Sequence, residues 1–468
     1  MFRPARLLTL AFALGMACPL GAFSQERIAL FTQVDRQTAL VEIDATVSGF
    51  GTILSTTTLN DVSTSFSSPP VALAGGRYLI WIATGPNQAW DLVVFDRRTK
   101  RRFYAGVPTP TGLNGLTYAT DLLADRKHPR VFYRTGGFQQ SGVWSIDARN
   151  PTPRRLFSIT TGGSVTSMSL ADDANELFMS VFLAPGSPFY QIVVIDANDG
   201  HELRRLPSGD SETILGVDPA GRVLLVDTGS GLTQRDARTG ALLSVVPGIG
   251  GATVLGGTDA ERSRLLVLDY RALRALDATT LAEQWRTPLG PATDPNRLFV
   301  QRVARPGRWM TGAYIARAET RVIQPPFSYY PGEYTCNAIN VDVFEPDGAM
   351  RTTVDVMALL AIPGGNGGCS AYPVLVRSPF APRALSTTTE GRAVTVSWGD
   401  PGDTEEFELE YGFASGQRAG SLRLAAGTTR LTIPNVPSGI YYVRVKAVNE
   451  VGPSPPSNEV RVVVPSTP

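Results

Sequence analysis

A chain of 468 residues, 43% hydrophobic and only 18% charged, is long enough for two or more cored domains and too poor in charge for long solvent-exposed helices. Its 46 glycines and 35 prolines punctuate the sequence with turns, which points to an all-β protein. The 43 basic and 42 acidic residues nearly cancel, which argues against bulk binding to nucleic acid or to a membrane surface.

The first predicted element is an export signal over residues 1–24. Arg3 and Arg6 precede the apolar run Leu7 to Phe23, and the small residues Ala22 and Ser24 stand before Gln25. A membrane anchor fits less well, because Gly15, Pro19 and Gly21 break the run. A lipid-modified Cys18 also fits less well, since Gly15 occupies the place where such a signal carries Leu. Loss of these residues leaves 41 basic against 42 acidic side chains and a net charge of −1. It also leaves Cys336 and Cys369 in a chain bound for an oxidising compartment, where a disulfide is the economical expectation. Neither cysteine has His or carboxylate neighbours at ligand spacing, so no metal is expected. No later segment is long and apolar enough to span a membrane.

From residue 25 a strand ending in an acidic residue recurs seven times: VEID to Asp44, VVFD to Asp96, WSID to Asp147, VVID to Asp196, TQRD to Asp236, RALD to Asp277 and DVFE to Glu345. The spacings are 52, 51, 49, 40, 41 and 68 residues, near the period of a four-stranded repeat carrying loop insertions. Thr213 to Gly248 is the clearest unit, with four short strands, TILGV, RVLLVD, LTQRDA and ALLSVVPG, separated by the turns DPAG, TGSG and RTG. These units resemble the blades of YVTN and quinoprotein-like seven-bladed β-propellers, with the likeness running from about residue 26 to 378 and strongest from Gln191 to Leu289. The resemblance implies a propeller over residues 25–378. Its first unit lacks a first strand of its own, so Tyr372 to Arg377 is expected to pair with Arg27 to Gln33 and close the circle, hiding both sheet edges.

From Phe380 the pattern changes. APRALSTTTEGRAVTVSW, EEFELEYG, TRLTIPNV and GIYYVRVKAVNEVGPSPPSNEVRVVV resemble a fibronectin type III module, an immunoglobulin-like β-sandwich assigned to residues 379–465, with 466–468 as a tail. The resemblance places Trp398 in the core, with Tyr441, Val443, Val445 and Ala447 on the inward side of the sixth strand. The module has no Arg-Gly-Asp in its last long loop, so the adhesion motif of that family is missing.

In a propeller blade the loops between second and third strands share one face. Here they collect aromatics: Trp90, Phe138, Phe189, Tyr190, Phe327, Tyr329, Tyr330 and Tyr334. Exposed rings beside Asn and Gln suit stacking on a sugar or gripping a protein partner; the alternative is that each ring packs over its own loop or plugs the channel mouth. The insertion from about Ala316 to Ala338 is the sharpest candidate, because long loops in compact domains tend to be functional. A bond between Cys336 and Cys369 would tie its end down. The opposite face carries Arg97, Arg98, Lys100, Arg101, Arg102, Arg154, Arg155, Arg204 and Arg205; such a cluster suits an anionic glycan or lipopolysaccharide, but with net charge near zero solvated turn charge is the favoured reading.

Signals for catalysis are thin. His128 and His201 are the only histidines and fall in turns of different units, so a metal cluster or a His-dependent triad lacks material. Asp196, Asn198, Asp199 and Gly200 are similar to a calcium loop but lack its downstream Glu, which leaves turn chemistry as the reading. Asp61, Asp121, Asp218 and Asp259 lie in or near first strands, where an Asp most often ends the strand. The expectation is an exported bacterial protein, extracellular, at the cell surface or periplasmic, with no cofactor. It recognises an extracellular carbohydrate or protein through propeller loops and uses the C-terminal module as a spacer or a second adhesive unit. The rival reading is an extracellular polysaccharide- or peptide-degrading hydrolase or lyase, which needs carboxylates converging in the channel.

Overall fold

The computed structural model describes residues 26–34, 37–45, 51–59, 69–84, 90–107, 118–125, 127–136, 141–159, 162–183, 190–209, 212–218, 220–249, 253–257, 264–268, 272–277, 279–289, 298–306, 313–323, 333–344, 347–360 and 369–466. The residues read as an export signal lie outside these ranges.

The described chain is all-β, with repeated four-stranded antiparallel sheets. Seven such sheets follow one another along the sequence. The first orders Cys369–Arg377, Glu26–Val34, Gln37–Asp44 and Ile53–Thr58, so its leading strand comes from the far end of the chain. Its register runs from Glu26 opposite Arg377 to Val34 opposite Cys369, with Tyr372 facing Phe31. The expected closing pair is therefore present. Sheets two to seven begin at Val71, Tyr118, Ser164, Thr213, Thr253 and Leu298 and take their four strands in chain order. In the fifth sheet Thr213–Val217, Val223–Asp227, Gly231–Asp236 and Leu242–Pro247 lie within a residue or two of the strands read from the sequence.

Burial explains the strand compositions. Middle strands such as Tyr78–Thr84 (YLIWIAT) and Glu176–Phe182 (ELFMSVF) are apolar on both faces, because a sheet packs against each side of them. The last strand of each sheet, such as Glu283–Pro288 (EQWRTP), alternates exposed and half-buried positions because it stands at the rim. Apolar clusters join successive sheets. Ala29, Phe31, Trp81 and Val93 join the first to the second, Ile80, Val94, Val131 and Tyr133 the second to the third, and Phe178, Val194, Ile214 and Val226 the fourth to the fifth. Leu30, Ile43, Ile339 and Val341 join the seventh back to the first.

One expectation needs correction. Much of the insertion from Ala316 to Ala338 is not a loop. Ala313–Ile323 and Glu333–Phe344 pair from Ala313 opposite Phe344 to Ile323 opposite Glu333, with one register shift between Glu319 and Thr320, leaving only 324–332 between them. The Pro-Pro pair at 325–326 and the tyrosines read as a loop in the sequence, while the β-branched residues of ETRVI and the alternation of EYTCNAI favour a long ladder.

The C-terminal residues form two further sheets. One has three strands, Arg383–Glu390, Ala393–Gly399 and Arg430–Ile433. The other has five, built around Glu406–Gly412 and the long strand Gly439–Asn449. Trp398, Phe407, Leu409, Val443, Val445 and Ala447 fill the space between, with the Trp398 and Phe407 rings 5.7 Å apart and edge-on. The hydroxyl of Tyr441 donates to the Pro437 carbonyl at 2.9 Å.

Candidate functional site

Each sheet presents two ends. At one end the strand-terminating acids do the same local work. The Asp196 carboxylate accepts the backbone N–H of Asn198 at 2.7 Å, Asp236 those of Arg238 and Thr239 at 3.0 and 2.8 Å, and Asp277 those of Thr279 and Thr280 at 2.9 and 2.7 Å. Asp96 and Asp147 repeat the pattern with Arg98 and Arg149. Such a carboxylate replaces the backbone acceptor of a turn. The charged form is favoured for that reason: the Thr239 and Thr280 amides, foremost, hold Asp236 and Asp277 below the ordinary carboxylate value. At Asp147 burial pushes upward, but the hydrogen bonds and charge of Arg149 outweigh it and the net shift is down. A carboxylate held ionised in this way is poorly suited to act as a general acid.

Asp196, Asp199 and His201 bring three ligand atoms within 4.8 Å of one another. Their bonds are those of a turn. Asp196 already caps backbone amides, and Asp199 Oδ1 accepts the His201 N–H at 3.0 Å while lying 2.6 Å from its Nδ1. Gly200 closes the turn at φ +83, where a Cβ would strike the Leu156 carbonyl. His128 sits in a different kind of turn, between the first and second strands of the third sheet, 3.1 Å from Asp125 Oδ2, which also takes Arg130 at 2.7 Å. Asp218 accepts the N–H of Val223 at 2.8 Å, and Asp121 pairs with Arg134. Asp61 and Asp259 lie outside the described residues.

Of the nine cations assigned to the opposite face, Arg97, Arg204 and Arg205 meet carboxylates. Arg204 grips both oxygens of Glu176 at 2.9 and 2.6 Å and also reaches the Ala237 carbonyl. Arg205 does the same with Glu202 at 2.8 and 2.9 Å, and Arg154 donates to the Asn198 carbonyl at 2.7 Å. Arg97 overturns its reading as a turn charge: it is 8% exposed, with Nε 2.8 Å from Glu42 and Nη1 2.5 Å from Glu450.

A sequence signal for this residue existed. The position after the first six strand-ending acids holds Ala45, Arg97, Ala148, Ala197, Ala237 and Ala278 in turn, and Arg97 alone among these six breaks the run of alanines. The backbone confirms the equivalence. Arg97, Ala148, Ala197 and Ala237 each donate N–H to a carbonyl just before the second strand of their sheet, those of Arg77, Pro129, Asn175 and Arg222, at 2.7–2.9 Å.

The other end of the third strands carries the aromatic candidates. Trp90 opens Trp90–Asp96 opposite Thr84, and Tyr190 opens Tyr190–Asp196 opposite Phe182. The half-buried Tyr190 ring packs on Phe182 at 5.3 Å and 56°. Tyr334 and Cys336 lie on Glu333–Phe344 opposite Val322 and Thr320. Phe138, Phe189, Phe327, Tyr329 and Tyr330 lie outside the described residues, as do the side chains of Trp90, Tyr334 and Cys336. Cys369 begins the closing strand with its sulfur 3.8 Å from the Ala338 carbonyl. Among the described residues no helix is long and apolar enough to cross a membrane.

No protein-family model matches the chain, and no curated protein matches it. Among solved structures it is similar to BamB from Moraxella catarrhalis at 12% identity and a TM-score of 0.37, over 78% of this chain and 92% of that one. It is similar to Hsv2 from Kluyvelomyces marxianus at 10% identity and a TM-score of 0.39, over 64% and 94% of the two chains. Over 19% of its length it is similar to 97% of an Fn3-like protein from Clostridium thermocellum, at 22% identity and a TM-score of 0.17.

Proposed function

We infer that residues 25–378 form a seven-bladed β-propeller, that 379–465 form a fibronectin type III module, and that the chain is an exported binding protein. Its ligand is an extracellular glycan or protein, gripped by the loops at the Trp90 and Tyr190 end of the blades. Clusters that link each sheet to the next and the last to the first support the propeller. Trp398 packed on Phe407, and a Tyr441 hydroxyl bonded back to the Pro437 carbonyl, support the module. Cys369 lies beside Ala338, two residues along the strand from Cys336, and this supports the disulfide.

The observation that carries the functional reading is the division of labour between the two ends. Acids at one end are committed to turns, while the segments between second and third strands, which lead to the Trp90 and Tyr190 end, carry the aromatics and amides of the sequence. Fold by itself does not assign a ligand, so the test is direct. The mature chain is screened on an array of bacterial and host glycans and on a panel of purified envelope proteins. The hit is then measured with Phe327, Tyr329 and Tyr330 replaced together by Ala. A loss of about tenfold or more in affinity is expected; unchanged affinity refutes the site. Turnover of a polysaccharide or peptide substrate would replace this reading with the enzymatic one.

A further inference from the structure

The C-terminal pair of sheets is not suspended from the rest of the chain. It is seated on the first two sheets, where the closing strand ends. Val451 is 7% exposed and belongs to the apolar cluster of Phe31, Trp81, Tyr372, Val374 and Val376, so one of its side chains completes the core between the first and second sheets. Asn449 Nδ2 donates to the carbonyl of Arg377, the last residue of the closing strand, at 2.8 Å. Its Oδ1 accepts the N–H of Val451 at 2.9 Å and so fixes the turn that delivers that valine. Gly76, at φ +104, lets the chain pass so close to Val376 that a Cβ would collide with it.

Arg97 joins these parts. Its backbone is equivalent to that of Ala148, Ala197 and Ala237, which face a neighbouring sheet as buried methyl groups. At this one place a guanidinium stands instead and reaches three segments: Glu42 of the first sheet, the Gly76 carbonyl at 3.1 Å, and Glu450 of the C-terminal module. Arg77 makes a second bridge to Glu405 at 3.3 Å, with Asp96 at 3.6 Å. A buried Arg with two carboxylate partners contributes specificity of position, because removing the guanidinium takes from both buried carboxylates their nearest cation.

We propose that the C-terminal module is a clasp for the ring: through Arg97, Asn449 and Val451 it holds the strand Cys369–Arg377 against Glu26–Val34. Its function is thus to lock the closure rather than to act as a spacer. This rests on reading the seven sheets as a closed ring. The closing strand is where such a ring is weakest, since it joins the two ends of the seven-sheet array by non-covalent strand pairing and packing instead of by a short chain connection. The module follows that strand within a few residues and grips its end.

Amide hydrogen exchange on the full chain tests the clasp, read on peptides covering residues 26–34, 369–377 and 447–453. Arg97→Ala installs the residue that the equivalent positions already carry, and Asn449→Ala removes the grip on Arg377 without changing charge. Each is expected to speed exchange in all three peptides by roughly tenfold or more, with peptides from the fourth and fifth sheets unchanged. Arg205→Ala, which breaks an exposed pair, leaves all three unchanged. A closing strand that is protected in the wild type and equally protected in both variants overturns the clasp and leaves the ring standing. A closing strand unprotected in the wild type overturns the ring reading itself.

Discussion

Replacing Glu42 and Glu450 separately by Gln predicts opposite outcomes at one arginine. Both carboxylates touch Arg97, and Gln preserves an acceptor oxygen in each place. At Glu42, burial pushes the pKa upward, but the hydrogen bond and charge of Arg97, helped by Lys100 and Arg27, outweigh it and hold the pKa below the ordinary 4.5. A lowered folded-state pKa stabilises the structure above 4.5, and that contribution disappears as pH falls through the folded value. Glu42→Gln therefore weakens the junction at pH 7. The loss is about 1–2 kcal/mol, at the low end for a hydrogen bond to a charged group, because Arg97 retains Glu450 and the Gly76 carbonyl.

At Glu450 the balance reverses: burial is the leading cause, Glu405 and Asp96 add to it, and the charges of Arg97 and Arg77 do not compensate, so its pKa is raised. A raised pKa stabilises below 4.5, and that contribution is lost as pH rises through the folded value. Glu450→Gln is therefore neutral or slightly stabilising at pH 7, because Gln keeps an acceptor for Arg97 without a buried charge. The assay is the opening free energy of amides in 26–34, 369–377 and 447–453 at pH 7 and pH 4, corrected for intrinsic exchange. The Glu42→Gln penalty shrinks at pH 4, and the Glu450→Gln advantage shrinks with it. Two variants that shift the junction in the same direction at pH 7 would refute the reasoning.

Two further substitutions probe the packing. Gly76→Ala imposes a side chain at φ +104 against Val376 and is expected to destabilise the junction by about 1–3 kcal/mol; an unchanged opening energy at residues 369–377 would contradict it. Trp398→Ala empties the centre of the C-terminal core beside Phe407 and is expected to cost about 3–5 kcal/mol. Exchange at 443–447 measures this, and peptides of the fourth sheet serve as the internal control.

Much of the strand framework is visible in the order of residues. Asp196 and Asp236 end their strands because a short carboxylate can cap the next two amides, and that chemistry is local. The pairing of the strand at 372–377 with that at 27–33 was also legible, since an unmatched strand at each end of a repeat array calls for the other, whereas the register that sets Tyr372 opposite Phe31 was not. The long hairpin Ala313–Ile323 with Glu333–Phe344 was not, because its tyrosines and prolines suggest a loop while its extent depends on cross-strand pairing. The aromatic residues were picked out by composition; of their rings, Tyr190 is the one placed among the described residues, against Phe182.

Arg97 marks the division most clearly. Beside Arg98, Lys100, Arg101 and Arg102 it looks like turn charge, and a basic run at a turn is ordinarily solvated. Its partners Glu42 and Glu450 lie 55 and 353 positions away in the chain. Period, turn chemistry and strand edges depend on neighbours a few residues apart, so the sequence by itself determined them. Which charge is buried depends on what the closed chain brings over it, and only the tertiary structure decided that.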